Sequence, residues 1–246
     1  MSTNLNPGRV AGLWYLLLVA LGPIRLIYIP SKLFADNPSE TVSNIAAHEW
    51  LFRLGMASEL ACGVVLILLV MAVYELFNKV DQRLAVLVVI LGGVMPALIN
   101  FVNVVSDAGA LMAARNVDFL SAFDKPQRDA LAMLFLRLHG QQYAAAELLW
   151  GVWLFPLAVL AYRSGFLPRF LGVWLFIGGC AYVVMSFAAL LLPQYQHQVF
   201  LISQPALFGE IALMLWLLIK GAETPLANVT ESLRFGLIAM RDYPGW

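Results

Sequence analysis

The stretch AELLWGVWLFPLAVLAYRSGFLPRFLGVWLFIGG, Ala146–Gly179, holds two apolar runs on either side of a tight turn, Tyr162-Arg163-Ser164-Gly165. Neither run alternates polar and apolar residues as a half-buried strand would. Each belongs to a segment of about twenty or more residues, the length an α-helix needs to cross about 30 Å of hydrocarbon. A backbone facing lipid must satisfy its own hydrogen bonds, so such segments cross as helices. The stretch therefore reads as a transmembrane helical hairpin. One residue strains against that reading. Glu147 is a carboxylate in an apolar run, and a carboxylate in hydrocarbon costs at least several kcal/mol unless it turns toward protein or water and finds a partner.

Composition extends the reading to the whole chain. Hydrophobic residues make up 61% of the 246, charged residues 12%, and mean hydropathy is +0.81, far outside the soluble range. Taking about twenty apolar residues as a crossing, six segments emerge, roughly 10–30, 52–77, 84–106, 138–162, 168–192 and 203–220. The fold class is all-α, a six-transmembrane-helix bundle. Residues 1–224 form a single membrane domain, and 225–246 form a tail long enough for one short amphipathic helix. The apolar run after Arg9 is long for a signal sequence and lacks a small-x-small cleavage site, so it reads as a retained first helix. Nothing suggests lipidation.

Six crossings place both termini on one side. The turns after the second and fourth segments are short and carry Lys79, Arg83, Arg163 and Arg169, with Arg9 and Lys220 at matching helix ends. The positive-inside rule makes that side cytoplasmic, against a smaller basic set of Lys32, Arg53 and Arg137 opposite. The two long connections then face outward. The first has Asn37 and Pro38 before a helix start expected at Ser39 or Thr41. The second has Asp124 as N-cap, Pro126 in the first turn and Gln127 at the capping-box position. Asn228-Val229-Thr230 falls on the cytoplasmic side, where a glycosylation sequon has no meaning.

The chain also resembles itself. Setting Ser58–Gly93 beneath Ala146–Gly179 aligns Glu59 with Glu147, Gly63 with Gly151 and Tyr74 with Tyr162; shortening the turn by two residues then aligns Arg83 with Arg169 and Gly92-Gly93 with Gly178-Gly179. Helices two-three and four-five read as two copies of one hairpin. The sixth segment opens the same way around Glu210.

That pattern gives Glu147 a provisional role. Glu59, Glu147 and Glu210 enter on helices running the same way, so they reach similar depths and should face a common interior. On the third segment Pro96, Asn100, Asn103 and Asp107 make one polar stripe; on the fourth, His139, Tyr143 and Glu147 share i, i+4, i+8 spacing beside Gln142; on the first, Arg25 follows a Gly22-Pro23 break. These point to an outward-facing polar pocket lined by Arg25, Glu59, Asn100, Asn103, Asp107, His139, Gln142, Glu147 and Glu210. Two readings of it stand. Each acid is an internal staple, bonded to Arg25, a tyrosine or a freed carbonyl, or the pocket binds a small polar molecule, a cation or a proton in a transporter-like or sensor-like protein. The charge count keeps the second alive, because Arg25 and His139 cannot neutralise Glu59, Asp107, Glu147 and Glu210 together.

A third reading is a membrane-embedded metal-dependent hydrolase using His48, His139 and His197. No HExxH, GxSxG, Walker or dinucleotide motif supports an enzyme, and no mid-span lysine is available for a Schiff base. No cofactor is expected. Balanced charge, 15 basic against 15 acidic residues, and the absence of basic-aromatic interleaving exclude a nucleic-acid partner. Cys62 and Cys180 lie in apolar runs with no metal or disulfide spacing.

Gly151-Val152-Trp153-Leu154-Phe155-Pro156-Leu157, the turn Tyr162-Arg163-Ser164-Gly165-Phe166-Leu167-Pro168 and the opening Gly8-Arg9-Val10-Ala11-Gly12-Leu13-Trp14 together resemble a bacterial integral-membrane family, domain-of-unknown-function family 4386. The likeness runs from Arg9 to about Lys220. It implies a multi-helix protein of the bacterial inner membrane and carries over no activity, substrate or catalytic residue.

Overall fold

A computed structural model describes residues 6–222 of the chain. Among the described residues, six helices are long and apolar enough to cross a membrane: α1 (Pro7–Leu33), α3 (Glu49–Phe77), α4 (Gln82–Ala114), α5 (Lys125–Arg163), α6 (Arg169–Leu191) and α7 (Pro193–Ile219). The short α2 (Pro38–Ala47) precedes α3. The protein is an all-α membrane bundle of six spans. The tail from Pro225 onward lies outside the described residues.

Several boundaries differ from expectation, each for a local reason. α2 starts one residue earlier than expected, because Asn37 itself is the N-cap, accepting from the Ser39 amide at 2.9 Å, with Pro38 as first helical residue. α7 begins ten residues before the apolar run, since Gln194, Gln196, His197 and Gln198 are polar but helical. α5 opens with the expected capping box of Asp124 and Gln127. It breaks at Trp153, where Pro156 lacks the N–H that would bond the Val152 carbonyl. In α1 the chain passes Gly22-Pro23 without breaking and widens into a π-helical segment, Ile24–Tyr28, with a second in α4 at Ile90–Val94. Both share a cause: each lies just upstream of a proline, Pro30 or Pro96, whose ring would crowd the carbonyl four residues earlier in an ordinary α-turn.

The helices pack as a closed ring, α1 on α3, α3 on α4, α4 on α5, α5 on α6, α6 on α7, and α7 back on α1. Small residues allow the closest approaches. A Cβ on Gly8 would lie 2.4 Å from the Ala222 amide nitrogen, and one on Gly12 would lie 2.8 Å from that of Leu218. The closure is reinforced at Asn6, whose Oδ1 caps α1 by accepting from the amides of Gly8 at 2.9 Å and Arg9 at 3.4 Å, and also accepts from Ala222 at 2.9 Å. Asn6→Ala is expected to lower stability by about 1–2 kcal/mol, the upper range of a cap deletion. Thermal unfolding in detergent checks this, and Asn6→Asp, which keeps the accepting oxygen, should recover most of the loss.

Two apolar cores fill the ring, and a third small cluster, Val42, Ala113, Leu120 and Ala132, seats α2. The larger packs Tyr15, Leu69, Phe77, Trp153, Leu160 and Leu171 toward the end that carries the short turns. The smaller packs Ile29, Leu33, Ile45, Phe52, Leu111 and Leu136 toward the α2 end. On α1, α3, α4 and α5 alike, buried polar residues lie between these two cores: Arg25, Glu59, Asn103 with Asp107, and His139.

Candidate functional site

Arg25 lies in the π segment of α1 and turns inward, with only 4% of its surface exposed. Its stem fits because α3 offers Gly55, where a Cβ would lie 3.1 Å from Arg25 Cδ, and the guanidinium carbon stands 5.6 Å from the centre of the Phe52 ring. The guanidinium donates twice to Asp107 of α4, Nε to Oδ2 at 2.8 Å and Nη2 to Oδ1 at 2.6 Å. This is a two-pronged ion pair, the strongest geometry the two groups can form.

Glu59 of α3 and His139 of α5 complete the layer. Glu59 is 1% exposed and its Oε1 accepts from the Tyr143 hydroxyl at 3.0 Å. Its Oε2 lies 4.0 Å from both Arg25 Nε and His139 Nδ1, too far for a hydrogen bond. His139 Nδ1 is 3.2 Å from Asp107 Oδ1 but without hydrogen-bonding geometry. Among the described residues, four buried atoms here have no bonding partner: Glu59 Oε2, His139 Nδ1, and both amide atoms of Asn103. Two carboxylates face one guanidinium, so with a neutral imidazole the layer is one positive charge short.

Glu59, Asp107 and His139 could each offer a ligand atom, all within 4.8 Å of one another. The donor set suits a cation, but Arg25 already occupies both oxygens of Asp107. A divalent ion would overshoot the missing charge and sit beside a guanidinium in a medium that screens poorly. The three histidines do not converge: His48 is exposed at the α2–α3 junction with Nδ1 3.1 Å from the Asn44 carbonyl oxygen, and His197 belongs to a cavity near Glu147. A three-histidine centre is therefore not formed.

The three glutamates likewise have different neighbours. Glu210 accepts from the Tyr15 hydroxyl and lies beside Tyr182. Glu147 lines a cavity of about 290 Å³ with Gln196, His197 and Phe200. The i, i+8 spacing explains its departure from His139, because eight residues at about 100° each leave it about 80° round the helix. Trp150, eleven residues on, returns to within about 20° and does join the interior. Of the remaining expected residues, Gln142 faces Ser106, 3.4 Å away, and Asn100 lines a groove described next. The Arg25 layer itself is sealed, where an opening was expected.

The groove lies between α1 and α7 and has a volume of about 380 Å³. Its inner wall is aromatic. Ring centres run from His139 to Tyr143 at 5.0 Å, to Trp150 at 5.8 Å and to Tyr182 at 6.0 Å, while Tyr15 packs on Trp153 at 6.5 Å. Tyr15 and Tyr182 do not stand out in the sequence, because a tyrosine in an apolar run looks like packing, and Tyr143 stands out only by its spacing from His139 and Glu147; the signal in each case is the acid one ring away.

An uncharacterized protein of Archaeoglobus fulgidus is 34% identical over 71 residues, covering 29% of this chain and 41% of its own length. The chain thus spans less than half of that relative. No solved structure matches. The model of the family described as a domain of unknown function, DUF4386, matches residues 10–221, from the start of α1 to just past α7, and the chain belongs to that family.

Proposed function

We propose that the protein is a transporter-like or sensor-like membrane protein whose interior layer takes up and releases one positive charge, carried by a proton or a small monovalent cation. One observation carries this reading: Glu59 Oε2 and His139 Nδ1 are buried without bonding partners in a layer with two carboxylates and one guanidinium. Buried polar atoms are nearly always satisfied, and an orphan next to a charge deficit is where a proton or ion belongs. Tyr143 ties Glu59 to the lateral groove, so a change of charge at Glu59 alters a hydrogen bond at the groove wall. The short turns with Lys79, Arg83, Arg163 and Arg169 support a cytoplasmic placement in the inner membrane. At the other end Arg53 and Arg115 are held by Glu49, and Lys125 by Asp129.

The test is an infrared difference spectrum of reconstituted protein as buffer pH is raised, with and without sodium or potassium. The wild type is expected to lose a protonated-carboxyl band, or to lose it only when the salt is added if the cation competes. Glu59→Gln should abolish the change while leaving helical content intact. A wild type with no pH- or salt-dependent band, or the same band in Glu59→Gln, would establish the layer as an inert staple.

A further inference from the structure

We infer that the groove between α1 and α7 is a binding site for a lipophilic organic cation, a molecule with one positive charge on a hydrocarbon body that enters sideways from the bilayer. This goes beyond the Glu59 layer and rests on a different carboxylate.

Glu210 is the acid of the groove, and no Lys, Arg or His stands among the described residues that line it. No ion pair to Glu210 is formed among the described residues; its neighbours are the phenols of Tyr15 and Tyr182. Six aromatic side chains line the same space, Tyr15, Tyr143, Trp150, Trp153 and Tyr182 inside and Phe208 at the mouth. Aromatic faces carry the negative part of the ring quadrupole and attract cations, most strongly where water is excluded, and several rings around one carboxylate form the kind of cage that selects ammonium-type charges. A carboxylate facing phenols alone would serve a neutral ligand poorly and an anionic one worse.

The mouth decides the rest of the ligand. Leu26 and Ile27 of α1 and Phe208 and Ile211 of α7 line the groove and are themselves exposed, 66% in the case of Ile27, on the surface that meets lipid. Between them Gly22 leaves a gap, since a Cβ there would meet nothing within 4 Å. Access is therefore through hydrocarbon, which a hydrophilic cation cannot cross. About 380 Å³ falls in the range of small-molecule sites and suits a compact body with the charge at its centre or end.

Tetraphenylphosphonium is the probe, and tetraphenylborate is its control, having nearly the same shape with the opposite charge. Purified full-length protein in detergent is expected to bind the phosphonium saturably, with quenching of tryptophan fluorescence from Trp150 and Trp153, and to show no saturable binding of the borate. Glu210→Gln should weaken phosphonium binding at least tenfold. Gly22→Leu, which places a side chain in open space at the mouth, should weaken it similarly without touching the carboxylate, and it decides the matter if Glu210→Gln fails to assemble. Equal binding of the two probes, or undiminished phosphonium binding in Gly22→Leu, overturns the inference. Neither result bears on the proton at Glu59, which the infrared experiment reads separately.

Discussion

Asp107→Ala is expected to lose about 3–5 kcal/mol of stability, enough to prevent assembly of a marginal bundle, because it strands the Arg25 guanidinium in the interior with Glu59 4.0 Å away as its nearest acid. The pair is buried on both sides, with Asp107 fully enclosed, so neither solvent screening nor water can rescue the survivor. Replacing both partners is another matter. Arg25→Leu with Asp107→Leu removes two charges that were costly to bury, and much of the loss should be recovered. A double-mutant cycle by thermal or SDS unfolding, followed by circular dichroism, gives the coupling directly. Single variants as stable as wild type would mean that Arg25 reaches lipid headgroups or water instead of Asp107.

The second large effect concerns the contact between α5 and α6. A Cβ on Gly151 would lie 2.7 Å from the Gly179 carbonyl oxygen and 3.0 Å from the Val183 amide nitrogen, and one on Gly179 would lie 2.9 Å from the Gly151 carbonyl oxygen. Both obstacles are backbone, so no rotamer change can make room, and the helices must separate. Gly151→Ala should cost about 1–3 kcal/mol by overpacking, and Gly151→Val more. Gly140, on the same helix, meets nothing within 4 Å, and Gly140→Ala should be neutral or stabilising by up to about 1 kcal/mol through helix propensity alone. Unfolding both in one detergent separates close packing from propensity; equal effects would refute the contact.

The six crossings were legible because length and apolarity suffice to identify a span. The capping box at Asp124 was legible because it is local. Where polar residues extend a helix beyond its apolar run, as at Gln194 to Gln198, hydropathy underreports it. The candidate site was half visible. Arg25, Glu59, Asn103, Asp107 and His139 stood out because charge and amide groups in an apolar helix must turn inward. Their partners did not, because partnership depends on helix rotation. The π segment places Arg25 against Asp107, and the 100° step carries Glu147 away from His139 toward His197. Glu59, Glu147 and Glu210 align well in sequence yet meet three different surroundings, since equal depth along parallel helices says nothing of azimuth. The pairing of Glu210 with Tyr15 joins the first span to the last, a separation at which a single sequence offers no periodicity to read.

The closed ring has a consequence for biosynthesis. α1 is the first span to leave the ribosome and α7 the last, and at about 5–20 residues per second the wait between them is on the order of ten seconds. Through that interval the flank of α1 bearing Tyr15 has no α7 to meet, and the nascent bundle is an open crescent with its phenolic seam toward lipid. Membrane insertion and final closure are thus separate events in time, and a chaperone or insertase that shelters the seam would act on the crescent, before the last span arrives.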